Sequence, residues 1–285
     1  MAGNSRRKVG PPVEPDKKPH MSPSQMESFC RCPEAYRRRY LEGEKIPPGI
    51  ALVTGTCVHR PAEENFRQKI ETHVDVSLED FREMAAATFE DCRERGIGLT
   101  EDEDSRGSKV VLGEAKDVAV KLAGCHGTLQ APSYQPTSVE REVRIVLPNS
   151  THDLLGFIDL ETDKRQVIDF KNMARKQQQS VADTSVPLTF YAAGYQVAHG
   201  SPPDDIVMDV LVKTKEPYRQ TLSTSRGPQH FQALANRTNA VIAGVKAGVF
   251  PPATPGAWWC SDTFCGYWRS CPYVNRFKDY SEEDE

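Results

Sequence analysis

The stretch from Gly156 to Lys171 reads GFIDLETDKRQVIDFK. Its first half is an apolar run ending at Asp159. Its second half is a β-branched and aromatic run from Val167 to Phe170, and Lys164 and Arg165 fall in the polar turn between them. Two such runs around a short charged turn predict a β-hairpin. Side chains alternate along a strand, so Asp169 and Lys171 project from one face while Phe170 points into the core. With Asp159 on the same face, two carboxylates and one amine converge.

Converging carboxylates repel one another unless a cation lies between them, and hard oxygen ligands suit Mg2+ or Mn2+. A lysine beside such an ion stabilises the charge that develops in a phosphodiester transition state, or orients and deprotonates the attacking water. The tripeptide Asp-Phe-Lys also arises on ordinary solvated hairpins, so the reading depends on what the rest of the chain carries.

The 285 residues suffice for one large domain or two small ones, and the formal net charge of −4 gives no overall basic field. A surface for DNA must therefore be a local groove. Residues 1–21 form a basic arm of net charge +3, and the segment after Phe277 an acidic tail of −4. Both ends, 1–21 and 276–285, are expected to be disordered. No apolar run approaches the roughly 20 residues of a membrane span, and the basic, Pro-rich start lacks the apolar core of a signal peptide. The expectation is a cytoplasmic protein with no membrane partner. In a reducing compartment, clusters among the eight cysteines point to metal or iron–sulfur ligation rather than disulfides.

Along the chain, Ser22-Pro23-Ser24 caps a short helix, and Pro33 opens a second one carrying Arg37, Arg38 and Arg39. Helical patterns follow near 56–72, 78–95 and 108–126. Strands are predicted near 138–147, 153–161 and 166–171, then a helix near 185–199, strands near 206–213 and 217–223, and a long helix from Pro228 to Lys246. No linker divides 22–275. This order predicts an α/β fold, a central mixed sheet flanked by helices with a helical N-terminal elaboration.

Two further constellations carry chemistry. Gly55-Thr56-Cys57-Val58-His59 precedes Glu63, and imidazole is a sound Mn2+ ligand. Spacing alone favours the other reading of His59, a helix-start histidine bonded to backbone. Pro61 suggests a helix beginning near His59, with the proline in its first turn. The second is Cys260-x4-Cys265-x5-Cys271, interleaved with aromatic residues. Three thiolates need a fourth ligand to close a zinc site or hold a cubane, and Cys32 is the leading candidate with Cys30 the alternative. Cys57, Cys92 and Cys125 read as small buried hydrophobes. A bond from residue 32 to 260–271 would staple the chain's ends.

Taken in order, Ser22-Pro23-Ser24, Cys32-Pro33 with Tyr36 and Arg37, Gly55 to His59, Gly156 to Asp159, Asp169-Phe170-Lys171, Tyr191 and the terminal cysteines resemble the RecB-like, AddB-like exonuclease branch of the PD-(D/E)xK nucleases. The resemblance covers about 22–275 and implies a restriction-endonuclease-like core. It implies that Asp159, Asp169, His59 and the backbone carbonyl of Phe170 hold Mg2+ or Mn2+, and that Lys171 acts on the nucleophilic water. Tyr191 would touch the DNA backbone or hold the lysine side of the groove. Cys32, Cys260, Cys265 and Cys271 would hold a 4Fe-4S cluster, with Zn2+ as the alternative. Arg37, Arg38, Arg39, Lys164, Arg175 and Lys176 are candidate phosphate contacts. The x4 spacing after Cys260 departs from the family's x2. Pro187 stands where the family carries glutamine, so Gln178 or Gln179 substitutes, or the strand is handled differently.

The function expected is a metal-dependent DNA exonuclease of recombination, repair or phage DNA metabolism, working alone or with a helicase or recombinase partner. Two alternatives differ in kind. One is a catalytically inactive nuclease-fold protein that binds DNA or partners, and the other a structural zinc protein.

Overall fold

The computed structural model describes residues 18–274. The expected acidic tail and the first 17 residues of the basic arm lie outside them. Six strands form one mixed sheet: β1 (His20–Met21), β2 (Pro136–Ile145), β3 (Asp153–Thr162), β4 (Gln166–Met173), β5 (Asp205–Val212) and β6 (Tyr218–Thr224). Nine α-helices accompany them among the described residues: α1 (Pro23–Arg31), α2 (Pro33–Tyr36), α3 (Ile50–Thr72), α4 (Leu78–Arg95), α5 (Glu101–Ser105), α6 (Ser108–Leu129), α7 (Gln179–Asp183), α8 (Val186–His199) and α9 (Pro228–Lys246).

The predicted hairpin is β3–β4, and its pairing is short. Only Leu160↔Ile168 and Glu161↔Val167 pair, whereas β4 runs parallel to β5 along all of Gln166–Met173. β3 is paired along its other edge with β2. The edge it shares with β4 is taken again at its far end by β1, through His20↔Asp153 and Met21↔Leu154. Between these two short contacts, residues 155–159 of β3 have no strand beside them on that edge. α1 leaves directly from β1, its N-cap Ser22 and Gln25 closing a reciprocal capping box. The helix thereby starts beside the opening where β3 and β4 part.

Helices cover both faces. Met26, Phe190, Leu234, Val241 and Ile242, from α1, α8 and α9, pack with Leu154, Ile158 and Val167. On the other face Ala62, Phe66 and Phe81, from α3 and α4, pack with Leu160, Ile168, Phe170 and Val207. The neighbours Val167 and Ile168 fall in opposite clusters, as strand alternation requires. Ile158 and Leu160, two apart, also fall in opposite clusters, as do Val139 and Val143, four apart. The β2–β3 pair therefore changes faces near Asp159 and the residue opposite it, Glu140, whose φ of 47° is left-handed. A single residue in that conformation re-aims the side chains that follow it, as a bulge does.

Two expectations are corrected. The arm does not extend to residue 21, because His20–Met21 is a strand, Met21 is buried, and Lys18 Nζ donates to the Ser150 carbonyl at 3.2 Å. A two-residue strand has no periodicity to read. Second, α3 begins at Ile50, so Pro61 lies in mid-helix rather than in a first turn. The hydrogen bond lost at Pro61 is outweighed by burial: Val53 and Cys57 before it, and Ala62 and Phe66 after it, are all at most 4% exposed.

Candidate active site

Asp169 is fully buried, and Lys171, two residues on, donates from Nζ to its Oδ1 at 2.6 Å. Phe170 between them is turned the other way, its ring stacked on Phe66 at 5.6 Å and edge-on to His126 at 5.0 Å. These rings fix the rotation of β4 and hence the aim of its two charged neighbours. Opposite, Asp159 Oδ2 accepts the Phe170 backbone N–H at 3.1 Å. That N–H lies where the β3–β4 ladder has ended, so a carboxylate takes the place of a strand carbonyl. His59 Nδ1, from α3, lies 3.8 Å from the same Oδ2. The structure thus brings together His59, Asp159, Asp169 and Lys171.

The electrostatics agree with a site built for a cation. Burial pushes the Asp169 carboxyl's pKa up; Lys171 pulls it back and Asp159 adds to the rise. For Lys171, burial works against the charge, but Asp169 and then Asp159 outweigh it and hold the pKa above the ordinary lysine value. Asp169 Oδ2 is buried with no hydrogen-bond partner among the described residues. An orphaned acceptor beside a second carboxylate and an imidazole supplies the donor types a hard divalent ion takes, and the three would have to draw closer to hold one. The Phe170 carbonyl belongs to the same turn of strand.

Tyr191, on α8, also faces this centre, its pKa pushed well up by burial and then by Asp169 and Asp159. Its hydroxyl is therefore a neutral donor. Pro187 sits in the first turn of α8, where its missing N–H costs no helical bond. The proposed substitute Gln179 is spent elsewhere, its amide donating to Asp183 Oδ1 at 2.9 Å and the Ser223 carbonyl at 2.8 Å. Gln178 serves as the N-cap residue of α7.

Two acids that the sequence reading passed over belong to the centre. Glu140 is pushed up to about 7 by burial and then by Asp159 and Glu63, against Arg67. Glu27 on α1 is raised by burial against Arg31 and Lys171. The hairpin register was the available signal for Glu140: carrying the antiparallel pairing of β2 with β3 back through the turn sets residue 140 opposite residue 159. Glu27 had no such signal, since its place follows from β1. Glu63, one turn after His59, is engaged by Arg67 at 2.7 Å.

The candidate phosphate contacts divide. Arg38 is buried, forked onto Glu44 with both bonds at 2.7 Å, hydrogen-bonded to Ser270 Oγ at 2.6 Å, and stacked over Tyr267. It holds the cysteine-rich end to the N-terminal helices and offers solvent little. Arg37 is paired with Glu34 and Glu42. Arg39 is exposed beside Tyr40. Arg175 and Lys176 are exposed just beyond the Lys171 end of β4. Lys164 is in the hairpin turn at the other end of that strand, with about 16 Å of strand separating the turn from Lys171.

Cys32, Cys260, Cys265 and Cys271 line one cavity of about 370 Å3, together with Arg38, Tyr267 and Trp268. Cys30 is exposed and is not among the lining residues. Burial, then Cys32 and Cys271, raise the Cys260 thiol; burial first raises Cys265, with the other three adding to the rise. The four thiols lie in electrostatic reach of one another and would have to draw together to hold a metal centre. Among the described residues no three His, Cys, Asp or Glu side chains already stand close enough to hold one ion. Direct bonds also join the cysteine-rich segment to the N-terminal helices: Trp259 Nε1 donates to the Arg31 carbonyl at 3.2 Å, and Tyr267 Oη to the Glu44 carbonyl at 2.7 Å.

A mixed sheet parted over two carboxylates and a lysine defines a class of protein, and the sequence profile of the PD-(D/E)XK nuclease superfamily matches residues 20–272. The chain belongs to that superfamily. No protein of curated function matches it in sequence. Among solved structures, the "Putative exonuclease" of Eubacterium rectale superposes with a TM-score of 0.58 at 13% identity, covering 90% of each chain, a likeness of fold. SSO0001 aligns over 91% of this chain and 88% of its own at 11% identity with a TM-score of 0.42. Among the described residues no helix is long and apolar enough to cross a membrane.

Proposed function

We propose that this chain is a Mg2+- or Mn2+-dependent deoxyribonuclease of the RecB-like branch, removing nucleotides from DNA ends. The observation that carries the reading is the buried Asp169, its orphaned Oδ2, the Lys171 bond to its other oxygen, and Asp159 with His59 facing it. A structural zinc protein has no use for two carboxylates held at a cleft with a lysine ammonium.

Asp159, Asp169, His59 and the Phe170 carbonyl would hold the divalent ion, which supplies polarisation of the phosphate and of water. Lys171, kept as ammonium by its carboxylate neighbours, donates to the phosphate oxygen on which charge builds as water attacks in line and the P–O bond breaks. A raised pKa makes it a poor proton acceptor, which favours charge stabilisation over general-base action. Neutral Tyr191 donates to the phosphate backbone. Cys32, Cys260, Cys265 and Cys271 would hold a 4Fe-4S cluster, Zn2+ being the alternative, in the cavity that staples the ends together. A cytoplasmic setting, with a helicase or recombinase supplying DNA ends, suits this chemistry.

End dependence is tested on linear DNA labelled at either end beside a closed circle, with Mn2+ and protein purified without oxygen. Loss of label from the linear DNA alone supports an exonuclease and gives its polarity. Cutting of the circle replaces it with an endonuclease reading, and binding without cleavage with an inactive nuclease fold.

A further inference from the structure

The cysteine-rich end carries a feature that cluster ligation does not use. Trp258 and Phe264 are 65% and 63% exposed, yet they touch one another, ring centres 4.9 Å apart and planes at 87°. Trp259 lies edge-on to Trp258 at 5.6 Å, and its indole N–H is tied to the Arg31 carbonyl. The rings are therefore held in place while Trp258 keeps most of its surface in water. Leaving so much aromatic surface wet forgoes burial that the core elsewhere achieves.

The position of this patch suggests its occupant. Arg31 ends α1, and Glu27, one turn earlier on the same face, lies within electrostatic reach of Lys171. Along α1 one meets, in order, the Asp159–Asp169–Lys171 cleft, an exposed arginine, and the aromatic rings. One helical turn is about 5.4 Å, so Trp259 is tied to α1 one turn beyond the residue that faces the cleft. Exposed aromatic faces beside a cation that tracks a backbone are the elements from which single-strand sites are built, because every base has a π-face. A duplex keeps its base faces stacked on one another and presents only edges and phosphates.

We infer that Trp258 and Phe264 form a stacking platform for bases of a single DNA strand that enters or leaves the cleft, with Arg31 engaging a phosphate between the two. The inference rests on the nuclease reading and deepens it: the site takes one strand. It also gives the cysteine cavity a purpose beyond stapling, since Trp258 comes just before Cys260 and Phe264 just before Cys265, so the segment that carries both rings is the one that lines the cavity with those thiols.

The test measures binding of a labelled 20-nucleotide single strand and of a blunt duplex of equal length to the full chain, with Ca2+ present to hold back cleavage. Wild type, Trp258→Ala, Trp258→Phe and Arg31→Ala are compared, with melting temperature as the fold control. Trp258→Ala is expected to weaken single-strand binding about five- to hundredfold, the range for one stacked base at 1.4 kcal/mol per decade. Trp258→Phe restores most of it, duplex binding moves less than about twofold, and Arg31→Ala flattens the salt dependence by roughly 0.7 in the log–log slope. Single-strand binding unchanged in Trp258→Ala overturns the platform, as does an equal loss on the duplex. Mn2+-dependent cleavage of a short linear DNA separates the two levels. If wild type cleaves while the platform result is negative, the nuclease reading stands alone, and if wild type neither binds nor cleaves, both readings are lost.

Discussion

Glu140 shows how much one residue contributes to this centre. Its left-handed backbone turns the β2–β3 pair, and its carboxyl is pushed up to about 7 by burial and then by Asp159 and Glu63. Between the ordinary value of 4.5 and about 7 the folded chain binds this proton more tightly than the unfolded chain. Its contribution to stability is therefore present at acid pH and lost as pH rises through that window. Glu140→Gln should match wild type near pH 4 and melt higher at pH 8 without divalent ions, by about 1–2 kcal/mol after allowance for solvent screening. A pH-independent difference in thermal melting would remove Glu140 from the charged cluster. His126 gives the opposite slope. Buried and edge-on to Phe170, it is pushed down to about 4 by burial, with Gln130 opposing. Its neutral form supports the fold above pH 6.5, and that support is lost as pH falls towards 4. Replacing His126 with glutamine should flatten the acid limb of the stability profile, read by denaturant titration at several pH values.

At the scale of elements, α8 is placed by close approach. A Cβ at Gly156 would meet the Phe190 ring at 2.7 Å, and one at Gly194 would run into Val143. Both positions let the helix bearing Tyr191 lie tightly on β2 and β3. Gly194→Ala should cost about 1–3 kcal/mol, the range for overpacking, and should reduce cleavage further by displacing Tyr191; denaturant unfolding and cleavage rates measure the two effects. These elements also show what the sequence made legible. α4 and α9 match their predicted spans, 78–95 and 228–246, because a Ser77–Asp80 capping box and Pro228 mark their starts. The sheet strands followed from periodicity and the hairpin from its turn. β1 escaped notice because two residues carry no period, α5 because its acidic composition reads as loop, and the start of α3 because Pro61 argued locally for a boundary that packing overrides. Of the centre, Asp159, Asp169, Lys171, His59 and Tyr191 were visible as motif residues and are brought together. Glu140 and Glu27 depend on register and on β1, which single residues do not announce.

Across the described residues, the N-terminal helices meet the cysteine-rich segment at the cysteine cavity, where Arg38 on Glu44 and Ser270, Tyr267 on the Glu44 carbonyl and Trp259 on the Arg31 carbonyl make a seam. A cluster there would close a loop of more than two hundred residues, so its loss acts on global stability rather than on the last turn alone. Cys265→Ala should lower the melting temperature and the bound iron or zinc together, measured by calorimetry and metal analysis on anaerobic protein. Unchanged melting with unchanged metal would leave the seam's direct bonds as the staple. The same end carries the exposed tryptophan, so single-strand binding should fall with cluster loss while the Asp169–Lys171 pair stays intact.

In the proposed hydrolytic centre of Asp159, Asp169 and Lys171, the lysine serves the transition state. The decisive experiment is single-turnover, Mn2+-dependent cleavage of linear DNA by wild type and Lys171→Ala, with affinity for the same DNA measured in Ca2+. We expect cleavage to fall by about 100- to 1,000-fold with affinity nearly unchanged, as for removal of a donor aimed at developing charge. A variant that cleaves within a few-fold of wild type, or one whose affinity falls as far as its rate, would contradict that role.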